Sequence, residues 1–91
     1  MKLQKQLQNI GLSQKEAVVY LATLELGSAS AHKIAEKAGL ARSTVYEVLE
    51  ALLHHGFVST FRKKTVKYFS AEEPNNVFRL AQTRVDAIRE V

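Results

Sequence analysis

Cysteine is absent from this 91-residue chain, which excludes a disulfide framework and any thiolate metal site. No long hydrophobic run occurs either. The most apolar stretch, Ala17–Leu26, contains Thr23 and Glu25 and falls far short of the roughly 20 apolar residues that span a bilayer. The opening MKLQKQLQNIG has no apolar h-region, so it does not read as a signal peptide, and a cytoplasmic protein is expected. Proline occurs once, at Pro74. There is no Pro/Ser-rich linker, low-complexity tract or internal repeat, and no phosphate loop of the GxxxxGK[ST] kind. Aspartate occurs once, at Asp86, which leaves the histidines without a nearby Asp partner.

What is present is an ordinary folding composition, 46% hydrophobic and 24% charged, enough for one small domain but not for a generous core. Net charge is +4 and the pI about 9.6, a modest excess that suits a polyanion without requiring one. Its placement is more informative. Arg62, Lys63, Lys64 and Lys67 cluster, whereas the acidic residues are scattered along the helices.

The chain is organised around SAHKIAEKAGLARSTVYEVLEALLHHG, Ser30–Gly56. Ile34, Ala35 and Ala38 form an apolar stripe on a first helix, and Val45, Val48, Leu49 and Leu52 form one on a second. Ser30 is a natural N-cap, and Gly39 sits where the first helix must stop. Ala35, Gly39, Leu40, Val45 and Val48 together have helix-turn-helix spacing, with a small residue at the helix crossing and a glycine in the turn. The second helix, about 41–55, is polar at its start and apolar on one side later, as insertion into a DNA groove requires.

Before this motif, Lys2–Asn9 predicts a short polar helix stopped by Gly11. Ser13-Gln14-Lys15-Glu16 is a capping box, with Leu12 and Ala17 as a hydrophobic staple. It opens a helix to about Leu26 whose middle, AVVYLATL, is apolar on nearly every side. That helix reads either as the core helix alone or as a core helix that also serves a dimer interface. After the motif, His54-His55-Gly56 closes the second helix. Then FVSTFRKKTVKYFS predicts two strands around a bend at Lys63-Lys64-Thr65. Such a hairpin is a wing, and its basic tip either lies along phosphates or is a solvated hairpin end.

Pro74 suits the first turn of a last helix. Val77, Leu80, Ala81, Val85, Ile88 and Val91 share one face of it, which either packs on its own domain or pairs with a second chain; homodimerisation through this face is expected. The pattern stops uncapped, so the helix either frays or continues in a longer protein. The chain divides into a DNA-binding domain, 1–73, and an amphipathic helix, 74–91.

Catalysis has little support. His54 and His55 are adjacent, about 100° apart on a helix, and do not share a metal. Ser43 and Thr44 have no base near them in sequence, and Glu72-Glu73 suits a helix N-terminus. No enzyme, metal or cofactor is expected. Nucleic-acid binding, in contrast, has its parts. Arg42 can pair bidentately with guanine, Ser43 and Thr44 can bond base or phosphate, and Glu47 can accept from cytosine or be an ordinary ion-pair partner. Tyr46 either touches DNA or lies half-buried against the wing. Ser30, His32 and Lys33 start the first motif helix, near the DNA backbone. The candidate DNA-binding set is therefore Ser30, His32, Lys33, Arg42, Ser43, Thr44, Tyr46, Arg62, Lys63, Lys64 and Lys67.

The run Arg42–Leu49, the stretch IGLSQKEAVVYL, and Lys67-Tyr68-Phe69-Ser70-Ala71 with Pro74 resemble the N-terminal DNA-binding domain of the TrmB family, prokaryotic and largely archaeal transcriptional regulators, many of them responsive to sugars. The resemblance spans Gly11 to about Pro74. It implies an α+β, mostly α, winged helix-turn-helix with a two-stranded wing and a C-terminal dimerisation helix. It also implies sequence-specific binding of double-stranded DNA, with the recognition helix in the major groove and the basic wing, 62–67, on the backbone. A MarR-like regulator shares most of these features, and a winged helix used only for protein–protein contact is the rival from another class. The family's C-terminal effector domain has no counterpart in this chain, so no sugar site is inferred.

Overall fold

A computed structural model describes the backbone of residues 2–89 and the side chains of residues 2–82. Eight elements follow in order: α1 (Lys2–Asn9), α2 (Gln14–Leu26), β1 (Ser28–Ala29), α3 (Ala31–Ala38), α4 (Arg42–His55), β2 (Val58–Lys63), β3 (Val66–Ala71) and α5 (Pro74–Arg89).

Local chemistry explains most of the boundaries. At the start of α2, Glu16 N–H donates to Ser13 Oγ at 3.1 Å and Ser13 N–H donates to Glu16 Oε1 at 2.8 Å, the reciprocal pair expected of a capping box. Ser30 caps α3 by accepting from Lys33 N–H. Gly39 ends α3 at φ 71° and ψ 31°, a left-handed conformation that a β-carbon disfavours. From there the N–H groups of Gly39 and Leu40 both donate to the Ala35 carbonyl, which turns the chain sharply into α4.

α2 is the axle of the fold. It packs against α1, α3, α4 and β3, which explains a middle that is apolar on several sides. Ala17, Val19, Tyr20, Ala22 and Thr23 are buried, while Val18, Leu21 and Leu24 are half-buried. Buried Thr23 donates its hydroxyl to the Val19 carbonyl, so its polarity is satisfied. Around α2 the core gathers Leu7, Leu12, Ile34, Val45, Leu49, Leu52, Phe57, Val58, Phe69 and Val77.

The hairpin of β2 and β3 is antiparallel, with Val58 opposite Ala71 and Lys63 opposite Val66. A third strand is present. β1 pairs antiparallel with the other edge of β3, Ser28 opposite Ser70 and Ala29 opposite Phe69, so the sheet order is β1-β3-β2. The sequence reading had only the two-stranded hairpin, because a two-residue strand carries no periodicity and its partner is remote in sequence.

α5 begins at Pro74, with the Glu73 carbonyl accepting from the Asn76 and Val77 N–H groups. Val77 is 0% exposed and Ala81 is buried, while Leu80 is 36% exposed. The expectation of one uniform dimer face from Val77 to Val91 is therefore corrected at its start. Val77 and Ala81 already pack inside their own chain, where a partner has little surface left to bury. Val85, Ile88 and Val91 lie outside the residues whose side chains are described. No described helix is long and apolar enough to cross a membrane.

Candidate nucleic-acid interface

α4 opens without a side-chain cap. Its N-cap residue is Ala41, at φ −63° and ψ 145°, which offers no side-chain acceptor to the first-turn N–H groups. They point out of the helix with its positive dipole end, a geometry suited to an anion. Arg42 is the first helical residue. It and Ser43 are exposed, Thr44 is half-buried, and Glu47 is exposed. Tyr46 is 49% exposed.

These residues do not act as an isolated helix end. A cleft of about 490 Å³ lies where the starts of α3 and α4 face the wing, lined by Ser30, Ala31, His32, Arg42, Tyr46, Arg62, Thr65, Val66 and Lys67. Three cationic side chains from three elements meet there, and no carboxylate is among the lining residues. Six of the candidates, Ser30, His32, Arg42, Tyr46, Arg62 and Lys67, are thus brought together. Lys33, Ser43, Lys63 and Lys64 are exposed outside the cleft lining, and Thr44 is half-buried there.

Tyr46 faces the wing across this cleft, and half of it is open to solvent. Ala31, Thr65 and Val66 also line the cleft and are not in the candidate set, although Thr65 and Val66 lie within the wing, 62–67, expected on the backbone.

The wing carries features that do not favour its own stability. Arg62 lies directly opposite Lys67 in the strand register, and like charges facing across strands are destabilising. No ion pair among the described residues engages Arg62, Lys63, Lys64 or Lys67. Lys67 Nζ lies 5.3 Å from the centroid of the Phe69 ring, a cation–π contact that steadies it. The two-residue loop Lys64-Thr65 places Lys64 at φ 59°, a conformation that costs a non-glycine residue about 1–2 kcal/mol. On the outer face, the Phe61 and Tyr68 rings stack at 5.4 Å, bracing the strands where the charges repel.

At the other side of the cleft, Arg42 Nη2 donates to His32 Nδ1 at 2.6 Å, and His32 Nε2 lies 3.2 Å from Glu36 Oε1. Glu36 stands one turn after His32 on α3, a spacing that sequence could have flagged; the link to Arg42 crosses the turn and had no sequence signal. Elsewhere Lys37 pairs with Glu25 at 3.1 Å, tying α3 to α2 on the face away from the cleft. His54 and His55, at the end of α4, have ring centroids 5.8 Å apart, and His55 stacks on Phe57. Among the described residues, no group of three or more His, Asp or Glu side chains is arranged to hold a metal ion.

The sequence and the fold have counterparts among known proteins. A family model described as sugar-specific transcriptional regulator TrmB matches residues 7–75. The HTH-type sugar sensing transcriptional regulator TrmBL1 of Pyrococcus furiosus is 33% identical over 89 residues, which cover 98% of this chain and 25% of that protein. The uncharacterized protein YrhO of Bacillus subtilis is 36% identical over 62 residues, 68% of this chain and 22% of that protein. This chain thus spans about a quarter of the length of the curated relatives it matches. Among solved structures, TrmBL2, described as an archaeal chromatin protein with a novel mode of DNA binding, superposes with a TM-score of 0.82 at 27% identity, covering 98% of this chain and 36% of that one. A MarR family protein from Bacillus stearothermophilus superposes with a TM-score of 0.65 at 19% identity, covering 96% of this chain and 69% of that one, a likeness of fold alone. With its winged helix and a family match over most of its length, the chain belongs to the TrmB family of transcriptional regulators.

Proposed function

We propose that this chain is the sequence-specific, double-stranded DNA-binding part of a cytoplasmic transcriptional regulator, with α4 in the major groove and the wing on the flanking backbone. The observation that carries the reading is the carboxylate-free cleft where Arg42, Arg62 and Lys67 converge. Arg42, Ser43 and Thr44, in the first turn of α4, read base edges, and Tyr46 adds its hydroxyl or its ring. Ser30, His32 and Lys33 face phosphates from the start of α3, and Arg62, Lys63, Lys64 and Lys67 do so from the wing. A second copy joins through α5, with half-exposed Leu80 at the near end of the contact and the helix beyond it continuing the seam. The pairing helix begins at Pro74, and its first turns, with Val77 and Ala81, stay packed on the reading domain.

The test is selection from a random duplex pool, followed by methylation interference on the selected duplex. Guanine N7 lies in the major groove, so methylation there is expected to block binding at discrete positions. Failure of any sequence to be enriched, or interference confined to the minor groove, contradicts the reading. For the dimer, sedimentation of this chain at tens of micromolar is expected to give twice the monomer mass; a monomer contradicts pairing through α5.

A further inference from the structure

We infer that His32 is a positioning residue that holds Arg42 in its base-reading orientation, and that it does so only as a neutral imidazole. The inference rests on Arg42 reading bases, as proposed above. A guanidinium has donors and no acceptor, so the 2.6 Å contact from Arg42 Nη2 to His32 Nδ1 requires a lone pair on Nδ1. The ring proton then sits on Nε2, 3.2 Å from Glu36 Oε1, where a carboxylate accepts it. Glu36, His32 and Arg42 thus form a chain of hydrogen bonds with one direction, starting on α3 and ending at the first residue of α4.

An arginine held this way enters the groove already ordered, which reduces the entropy lost on binding. His32 is 56% exposed, so solvent protons reach it freely. Protonation puts a hydrogen on Nδ1, which then confronts the guanidinium as a second cation and breaks the contact. Glu36 keeps its partner, as an imidazolium. The other groups at the cleft are Tyr46 from α4, Arg62 from β2 and Lys67 from β3; none is a carboxylate that could replace His32 as the acceptor for Arg42. Acid therefore adds a positive charge beside the phosphates while releasing the side chain that discriminates bases. General affinity and specificity move in opposite directions.

The experiment compares a duplex selected from a random pool with a scrambled duplex of the same composition, from mildly alkaline to mildly acidic pH. For the wild type, the affinity ratio is expected to fall about tenfold on acidification, while binding of the scrambled duplex holds or strengthens. His32→Asn keeps an acceptor near the Nδ1 position without titrating, so its ratio is expected to lie above that of His32→Ala and not to change with pH. His32→Ala has a low, flat ratio. A His32→Ala variant that keeps the wild-type ratio and pH profile overturns the inference. Imidazole ¹⁵N shifts of the DNA-free protein provide a second reading. The Nε2–H tautomer is expected, and the Nδ1–H tautomer overturns the inference whatever the DNA result. If no duplex is enriched, the DNA-reading function fails and the inference with it, and the ¹⁵N spectrum then shows only whether His32 Nδ1 carries the lone pair that the Arg42 contact needs.

Discussion

On its inner side, α4 buries Val45, Leu49 and Leu52 completely against α2 and α3. On its outer side, one turn away, Arg42 and Tyr46 stand open to solvent across a cleft from Arg62 and Lys67. The inner side is satisfied as it stands, apolar and closed, and no buried side-chain nitrogen or oxygen among the described residues is left without a partner. The outer side is incomplete by the same criteria. It sets like charges opposite each other, holds a lysine at positive φ and leaves a helix start uncapped. Such costs are expected where a surface is shaped for a ligand rather than for the fold alone.

Substitutions can break this comparison, and the largest effect should come from the inner side. Leu49→Ala is expected to lower stability by about 2–5 kcal/mol in chemical denaturation, since the cavity is walled by three helices. A cost below about 1 kcal/mol contradicts a tightly packed interior. On the outer side, Arg42→Ala should leave the melting temperature nearly unchanged and weaken binding of a selected duplex by about 1–3 kcal/mol, with a smaller loss on scrambled DNA. Equal losses on both duplexes show that Arg42 does not read bases.

Tyr20 belongs to the inner side but reaches the linker before α5, where its hydroxyl donates to the Glu72 carbonyl. Burial, with the Glu72 and Glu73 carboxylates adding to it, pushes its phenol from 10.0 up to about 12. The raised value means the fold favours the protonated phenol. Its contribution is full below about pH 10 and is lost as pH rises from about 10 to about 12. Tyr20→Phe should cost about 1 kcal/mol at neutral pH, and its stability should fall less steeply than the wild type's across that alkaline window. Parallel pH profiles contradict the assignment. The smallest effect is expected from Lys64→Gly. It relieves the positive φ and should stabilise by up to about 1 kcal/mol, while weakening DNA binding about equally for all sequences.

The two sides also differ in how legible they were in the sequence. Ser13 with Glu16, Ser30, Gly39 and Pro74 mark helix ends by chemistry that acts within a few residues, so α2, α3, α4 and the start of α5 could be read directly. The alternation around Phe57–Ser70 likewise gave the wing. β1 could not be read, because Ser28 and Ala29 become a strand only through β3, far along the chain. The loop at Lys64 carries no Gly or Asn, so its conformation follows from the pairing of Lys63 with Val66. The stripe on α5 showed an apolar face without showing what covers it, and Val77 and Ala81 turn inward while Leu80 does not. At the cleft, residue types suggested the cations. The link from His32 to Arg42 depends on the angle between two helices, which spacing along one helix does not encode.

The most direct test of the claim that the outer side is built for DNA is a salt series on the selected duplex, for the wild type and for a variant with Arg62→Ala and Lys67→Ala. The wild-type affinity should fall linearly in the log–log plot, with a slope of about −0.9 for each phosphate neutralised. The double variant should be shallower by about 2 and keep the wild-type preference for the selected duplex over the scrambled one. An unchanged slope in the double variant, or a flat slope in the wild type, contradicts the account.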